Sequence, residues 1–327
     1  MVRKINWESQ IGRRVKLRDL HVFCTVVERG SMAQAAADLQ VSQPAVSEII
    51  ADLEHALDVR LFDRSYQGVE LTVYGRALLK RTTIVFDELK QSIRDLEFLA
   101  DPTVGELRIG CPESVAASIL PPVIKRFCEQ YPRVVLHVKH VASPPVHLPE
   151  LRERKLDLVL ERLSAPLPSE ADDLRVDILC NDEMIVAAGA HSRWARRRKI
   201  DLAELIDEPW ILMPPESWNY RIVEEAFRKR GLPMPKVSMV TFSVHLRAAL
   251  LASGPFITVF PKSVLSLNAG MFSLKALPID LPRQPWPLAV ITLKNRISTP
   301  VAQVFIDHVR AFTQSMTMEA EPAQRAG

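Results

Sequence analysis

The sequence predicts an α/β protein with an N-terminal, α-rich head. Three observations carry this. Residues 17–57 hold three short amphipathic helical stretches with clear start and stop signals. Residues 73–100 keep one apolar stripe long enough for a single extended helix. From Glu106 onward, short apolar runs alternate with helical periodicity, the pattern of strands linked by crossover helices.

The head is read first. Residues 17–29 form a helix with Leu17, Leu20, Phe23, Cys24 and Val27 inward, closed by Gly30 in a left-handed C-cap. Ser31 N-caps the next helix and Gln34 completes a capping box. Ala33, Ala35, Ala36 and Leu39 are small or apolar, which lets a neighbouring helix pack closely. Gln40 and Val41 make the turn, and Ser42 caps a third helix. Pro44 lies in that helix's first turn, where its missing N–H has no intrahelical partner to lose. Val46, Ile50, Leu53 and Leu57 fall on one face, and Gln43, Ala45, Ser47, Glu48, Ala51 and Asp52 fall on the other. This is a helix-turn-helix pattern. Short and amide side chains at the start of such a helix suit the base edges of a major groove. Residues 58–72 read as two strands around a Tyr66-Gln67-Gly68 turn, a small wing.

Thr72 caps the long helix, whose Leu79, Phe86, Leu89, Ile93, Leu96 and Ala100 are spaced 7, 3, 4, 3 and 4 residues, with Thr82 filling one seam position. A narrow stripe of this length is explained by a partner helix. Asp101-Pro102 breaks it, and Gly105 is expected to act as a hinge. Beyond it a helix is expected over 115–131 and a mainly parallel sheet with crossover helices. After the Pro-rich loop 164–172, a second α/β unit follows, and 286–293 and 298–315 read as a last strand and helix. The small, polar tail after Met316 is expected to be disordered.

Composition narrows the class. A chain of 327 residues suggests two or three domains, and its apolar and charged fractions are those of a soluble globular protein. No apolar run spans a bilayer, and the start lacks the apolar core of a secretory signal. The net charge of +3 is small. Arg3, Lys4, Arg13, Arg14, Lys16 and Arg18 form a basic arm that either touches phosphates or is a solvated tail. Cys24, Cys111, Cys128 and Cys180 are scattered without metal spacing, which fits a reducing cytoplasm. Dinucleotide, P-loop, zincin and serine-hydrolase motifs are absent. His137 and His140 would point to opposite faces of a strand, and the basic run 193–199 reads as a solvated loop.

Residues 17–79 resemble the N-terminal domain of LysR-type transcriptional regulators. The marks are Ala35-Ala36, Leu39, Ser42-Gln43-Pro44-Ala45, Ser47, Leu53-Glu54, Leu61-Phe62, Arg64, Leu71-Thr72 and Gly75. Weaker similarity continues through GELRIG (105–110), LDLVL (156–160) and ITVFP (257–261). The resemblance implies an α/β chain with an N-terminal all-α-rich winged helix-turn-helix, and a regulatory region of two α/β lobes resembling type 2 periplasmic binding proteins. The expected organisation is an arm (1–16), a DNA-binding domain (17–74), a linker and dimerisation helix (75–103), lobe 1 (104–176 with 281–315), lobe 2 (177–280) and a tail (316–327). It further implies a cytoplasmic homodimer or homotetramer that binds double-stranded operator DNA. A small-molecule effector between the lobes would control it, with RNA polymerase among its partners. It implies no enzymatic activity, cofactor, metal or membrane.

The candidate DNA-contacting residues are Ser31, Gln34, Ser42, Gln43, Pro44, Ala45, Ser47, Glu48, Arg60, Arg64 and Arg76. Residues 42–59 hold no Lys or Arg, unlike many family members, so phosphates would be met by Arg60, Arg64, Arg76, helix N-termini and the arm. Glu48 either accepts from a cytosine amino group or faces solvent. In open α/β sheets ligands bind beyond the carboxyl ends of strands. The candidate effector residues are therefore Cys111, Glu113, Ser114, Ser143, Glu161, Pro214, Ser217, Phe242 and Ser243, each serine having plain N-capping as its alternative. In the family, residues around Ser114 often hold an effector carboxylate. Glu113, Glu161 and Glu216 near the cleft favour an amine-bearing, zwitterionic or neutral ligand over a strongly anionic one. Two rivals remain: a redox sensor of the same fold switched through Cys111 or Cys180, and a solute-binding protein.

Overall fold

A computed structural model describes residues 14–65, 68–141, 148–163, 171–268, 271–282, 284 and 286–324. The chain forms two compact units, one up to Ile93 and one from Arg94, taken here in turn.

In the first unit, α1 (Leu17–Arg29), α2 (Met32–Asp38) and α3 (Gln43–Leu57) precede strands β1 (Phe62–Ser65) and β2 (Gly68–Leu71), which pair antiparallel. Val22, Phe23, Val26, Ala35, Ala36, Val46, Ile50 and Leu53 build the core. Val22 and Val26 occupy the inward face assigned to Leu17, which is 50% exposed as the first residue of α1. Gly30 closes α1 at φ 65. The expected Ser31–Gln34 capping box does not form, because the Ser31 side chain makes no cap hydrogen bond and Gln34 is exposed. The Ser42 hydroxyl does cap α3, accepting from the Ala45 N–H at 3.4 Å.

The wing is tied to α3 by Glu54, whose Oε1 accepts from the N–H groups of Leu61 (2.6 Å) and Phe62 (3.1 Å). The long helix α4 (Val73–Ala100) starts on Thr72, whose hydroxyl accepts from the Gly75 N–H at 3.0 Å. A Cβ at Gly75 would stand 2.2 Å from the Leu61 carbonyl oxygen, so only glycine lets α4 pass there. The expected seam divides along its length. Leu79 packs on the head's core, Phe86 meets His21 edge-on at 5.9 Å, and Thr82 is buried. Leu89 (40%), Ile93 (58%) and Leu96 (67%) stay exposed in the single chain, flanked by Val85 and Leu99.

The second unit holds two sheets. Lobe 1 orders its strands β4 (Arg133–His140), β3 (Val104–Cys111), β5 (Leu158–Arg162), β12 (Trp286–Leu293) and β6 (Leu174–Asp182). Lobe 2 orders β11 (Leu274–Ala276), β7 (Met184–Gly189), β10 (Ile257–Pro261), β8 (Trp210–Leu212) and β9 (Val237–Val240). Both sheets are mixed rather than mainly parallel: β12 runs antiparallel to β5 and β6, and β7 antiparallel to β10 and β11. The strand β11 was not expected from the sequence. Around these sheets lie α5 (Glu113–Ala116), α6 (Leu120–Gln130), α7 (Pro149–Arg152), α8 (Trp218–Lys229), α9 (Val244–Ser253), α10 (Lys262–Leu267) and α11 (Pro300–Gln324).

Four further expectations are corrected. Pro121 and Pro122 sit in the first turn of α6, so the helix expected over 115–131 is two helices. Gly105 is no hinge; it lies inside β3, where a Cβ would come within 2.8 Å of Val301. The first lobe crossing is at Glu183 rather than after residue 176, because β6 pairs with β12 as far as Asp182 opposite Trp286. The tail is helical to Gln324, since Met316, Met318, Glu319, Ala320 and Glu321 are strong helix formers.

Two of the short phrases shared with the family are joined by one carboxylate. Asp157 Oδ2 accepts from the Arg108 backbone N–H at 2.8 Å, and its Oδ1 accepts from Arg108 Nη2 at 2.8 Å. Arg296, on the loop after β12, reaches the same Oδ1 at 3.0 Å with its side chain 4% exposed.

Candidate functional site

The head offers one polar helix face. Gln43, Pro44, Glu48, Ala51 and Asp52 are exposed on α3, with Ala45 and Ser47 half-buried between them. Arg60 and Arg76 are exposed beside the wing, where Arg76 Nη1 donates to the Leu71 carbonyl at 2.6 Å. Arg64 stands opposite Val69 in the β1–β2 ladder. The basic arm before Arg14 and the turn at 66–67 lie outside the described residues.

The second unit brings polar side chains of both lobes together. Glu113, the first residue of α5, reaches into lobe 2: its Oε1 accepts from the Ser243 hydroxyl at 3.3 Å and the His245 N–H at 3.0 Å. Ser243 is at once the N-cap of α9, accepting from the Leu246 N–H at 3.2 Å. Ser114 is no N-cap, a position held by Pro112; its hydroxyl accepts from Arg162 Nη1 at 3.2 Å. Arg162 is almost fully buried, pairs with Asp182 at 2.9 Å, and donates to Ser263 of lobe 2 at 2.8 Å. Its guanidinium lies 5.4 Å from the centre of the Trp286 ring, and Trp286 stacks on Trp218 of lobe 2 at 4.6 Å. Asn268 of lobe 2 adds a bond to the Ala117 carbonyl at 2.6 Å.

The predicted effector residues divide. Glu113, Ser114 and Ser243 meet at the lobe junction. Ser217 is buried as the N-cap of α8, whose first residue Trp218 joins the stack, while Pro214 is half-buried and Phe242 47% exposed. Cys111 and Glu161 are each 1% exposed, so neither lines an open surface, and Glu161 accepts from its neighbour's Arg162 N–H. Ser143 falls outside the described residues. Sequence reading missed Arg162, Asp182, Ser263, Arg247 and the two tryptophans. A signal existed for Arg162, because a charged pair ends the otherwise apolar run of β5.

Burial sets the electrostatics. It pushes the Cys111 thiol up to about 12, aided by the Glu161 charge, and the Cys180 thiol up to about 11, aided by Asp182. Both directions oppose the thiolate that a redox switch requires. Burial also lowers the Arg247 guanidinium to about 10, against the opposing pull of Glu113. A surface depression of about 610 Å³ lies elsewhere on lobe 2, lined by His191–Arg193, Glu208 and residues 251–255; none of the junction residues line it. Among the described residues, no helix is long and apolar enough to cross a membrane.

Comparison with known proteins agrees with this layout. Residues 17–76 match the bacterial regulatory helix-turn-helix protein, lysR family, and residues 100–314 match the LysR substrate binding domain. GbpR of Azospirillum brasilense, an HTH-type transcriptional regulator, is 27% identical over 315 residues, 96% of this chain and 91% of that protein. GltC of Bacillus subtilis, a transcriptional dual regulator, is 28% identical over 91% of this chain and 97% of its own length. Full-length CbnR in complex with its target DNA is similar in fold at a TM-score of 0.59 and 22% identity, over 91% of this chain and 100% of that one. A full-length OxyR variant from Pseudomonas aeruginosa has a TM-score of 0.60 at 20% identity, over 92% of this chain and 95% of that one. With both family domains present in order and together covering most of its length, the chain belongs to the LysR family of bacterial transcriptional regulators.

Proposed function

We infer that this regulator reads operator DNA through the exposed face of α3, assembles through α4, and is controlled by a small molecule in the cleft between its lobes. The observation that carries the effector reading is that hydrogen bonds from both lobes converge at the ends of β3 and β5. A ligand there changes contacts that link the lobes, and a change in their relation would re-space the DNA-binding heads of an oligomer. The buried, high-pKa thiols weigh against the redox alternative.

Operator titrations test the head. Gln43→Ala or Ser47→Ala should weaken specific binding by ~1–3 kcal/mol, the worth of a base contact. Arg64→Ala should weaken specific and random DNA alike and flatten the salt dependence by about one unit of slope. Unchanged nonspecific binding and slope would remove Arg64 from the interface.

Reporter induction tests the cleft. Ser114→Ala removes a hydroxyl that engages Arg162 at the junction. It should raise the effector concentration for half-maximal response several-fold, the effect of one hydrogen bond of ~0.5–1.5 kcal/mol. A response curve superimposed on that of the wild type would exclude Ser114 from the site.

A further inference from the structure

The long helix α4 is covered on the side its composition least predicts. Leu89 and Ile93 stay open in the single chain, whereas Asp87 is 9% and Gln91 5% exposed. A step of two residues turns a helix by about 200°, so these polar side chains occupy the face opposite the apolar stripe. None of Asp87, Glu88 and Gln91 is without a partner, as the burial of a carboxylate requires. A second copy is not the cover, because the burial is present within one chain. Helix α1 meets α4 one position back at each turn, at Phe86 against His21 and at Lys90, whose charge reaches the Cys24 thiol. Asp87 and Gln91 therefore lie on the flank of α1.

The chain just before α1 supplies the matching chemistry. Residues 1–13, outside the described residues, carry Arg3, Lys4 and Arg13 against a single acid, Glu8, with Ile5, Trp7 and Ile11 among them. They join the described chain at Arg14, beside the start of α1 at Leu17. Thirteen residues can reach up to about 45 Å, and Asp87 and Gln91 are only about 6 Å apart along the helix. We propose that the polar face of α4 formed by Asp87, Glu88 and Gln91 is a docking surface for the basic N-terminal arm, residues 1–13 of the same chain. The arm then neutralises these acids rather than DNA phosphates. It braces α4 against the head and leaves the apolar stripe open to a second copy.

Limited trypsin digestion of the full-length protein, followed by mass spectrometry, reads the arm through cleavage at Arg13 and Arg14. Cleavage tracks the undocked population where opening and closing are fast. Asp87→Asn with Glu88→Gln keeps both side chains' sizes, removes their charges, and should speed cleavage about tenfold, the effect of one charge-assisted hydrogen bond. Arg3→Glu with Lys4→Glu alters only the arm, so it cannot act by unfolding α4, and it should give the same acceleration. Combining Arg3→Glu and Lys4→Glu with Asp87→Lys and Glu88→Lys should restore protection. Equal cleavage rates in the wild type and both charge variants would overturn the docking. Protection that disappears in Leu89→Glu would give the face to a second copy and reject the arm. Operator titration gives an independent reading. Arg3→Gln with Lys4→Gln should leave the salt slope unchanged, and a fall of nearly two units would place the arm on phosphates instead.

Discussion

Asp157→Ala should destabilise the regulatory unit by ~3–5 kcal/mol, the cost of removing one partner of a buried ion pair. The carboxylate serves three groups at once: the Arg108 backbone, the Arg108 guanidinium and the nearly buried Arg296 guanidinium. Alanine leaves two cations in place with their shared anion removed. For a unit of this size that loss lowers the melting temperature by about 10 °C. Asp157→Asn, which retains an acceptor oxygen, should fall between alanine and wild type. Calorimetry decides the matter: a loss below about 1 kcal/mol would mean that solvent or neighbouring groups replace the carboxylate.

The second large effect concerns assembly. Leu89→Glu or Ile93→Glu puts a charge on the exposed stripe of α4, where each side chain is at least two-fifths exposed in the single chain. If a second copy covers that stripe, the substitution buries an unpaired carboxylate at a cost of several kcal/mol. The dimer dissociation constant should then rise by about a thousandfold. Sedimentation equilibrium measures this directly, with circular dichroism to show that the monomer remains folded. An unaltered oligomer would assign dimerisation to another surface.

What the sequence disclosed depended on how local the cause was. The Ser42 cap, Gly30 in a left-handed C-cap and the spacing of Val46, Ile50 and Leu53 are decided within a few residues, and all of them appear as read. Reading failed where a local signal competed with a tertiary one. Ser31 has the right neighbours for a capping box and does not form it. Gly105 looks like a hinge, yet its lack of a side chain serves close packing on Val301. The lobe junction was legible only in outline. Strand ends pointed to Glu113, Ser114 and Ser243, but Arg162 joins Ser114 and Ser263 across 48 and 101 residues of sequence. No periodicity carries information over that distance. The same holds for Trp218 and Trp286, 68 residues apart in sequence, which the two lobes place face to face.

The order of strands in lobe 1 has a consequence for the protein's birth on the ribosome. Strand β12 lies between β5 and β6, although the chain makes it only after the whole of lobe 2. From Asp182 to Trp286, at about 5–20 residues per second, a nascent chain waits on the order of ten seconds with its first sheet unfinished. Lobe 2 is complete within that interval and can fold as an uninterrupted segment, while β5 and β6 both present unpaired edges. Such edges are templates for pairing with other chains. A message truncated between Asp182 and Trp286 would therefore yield not a shorter regulator but an aggregation-prone fragment, and the final stretch of translation is when this protein most needs a chaperone.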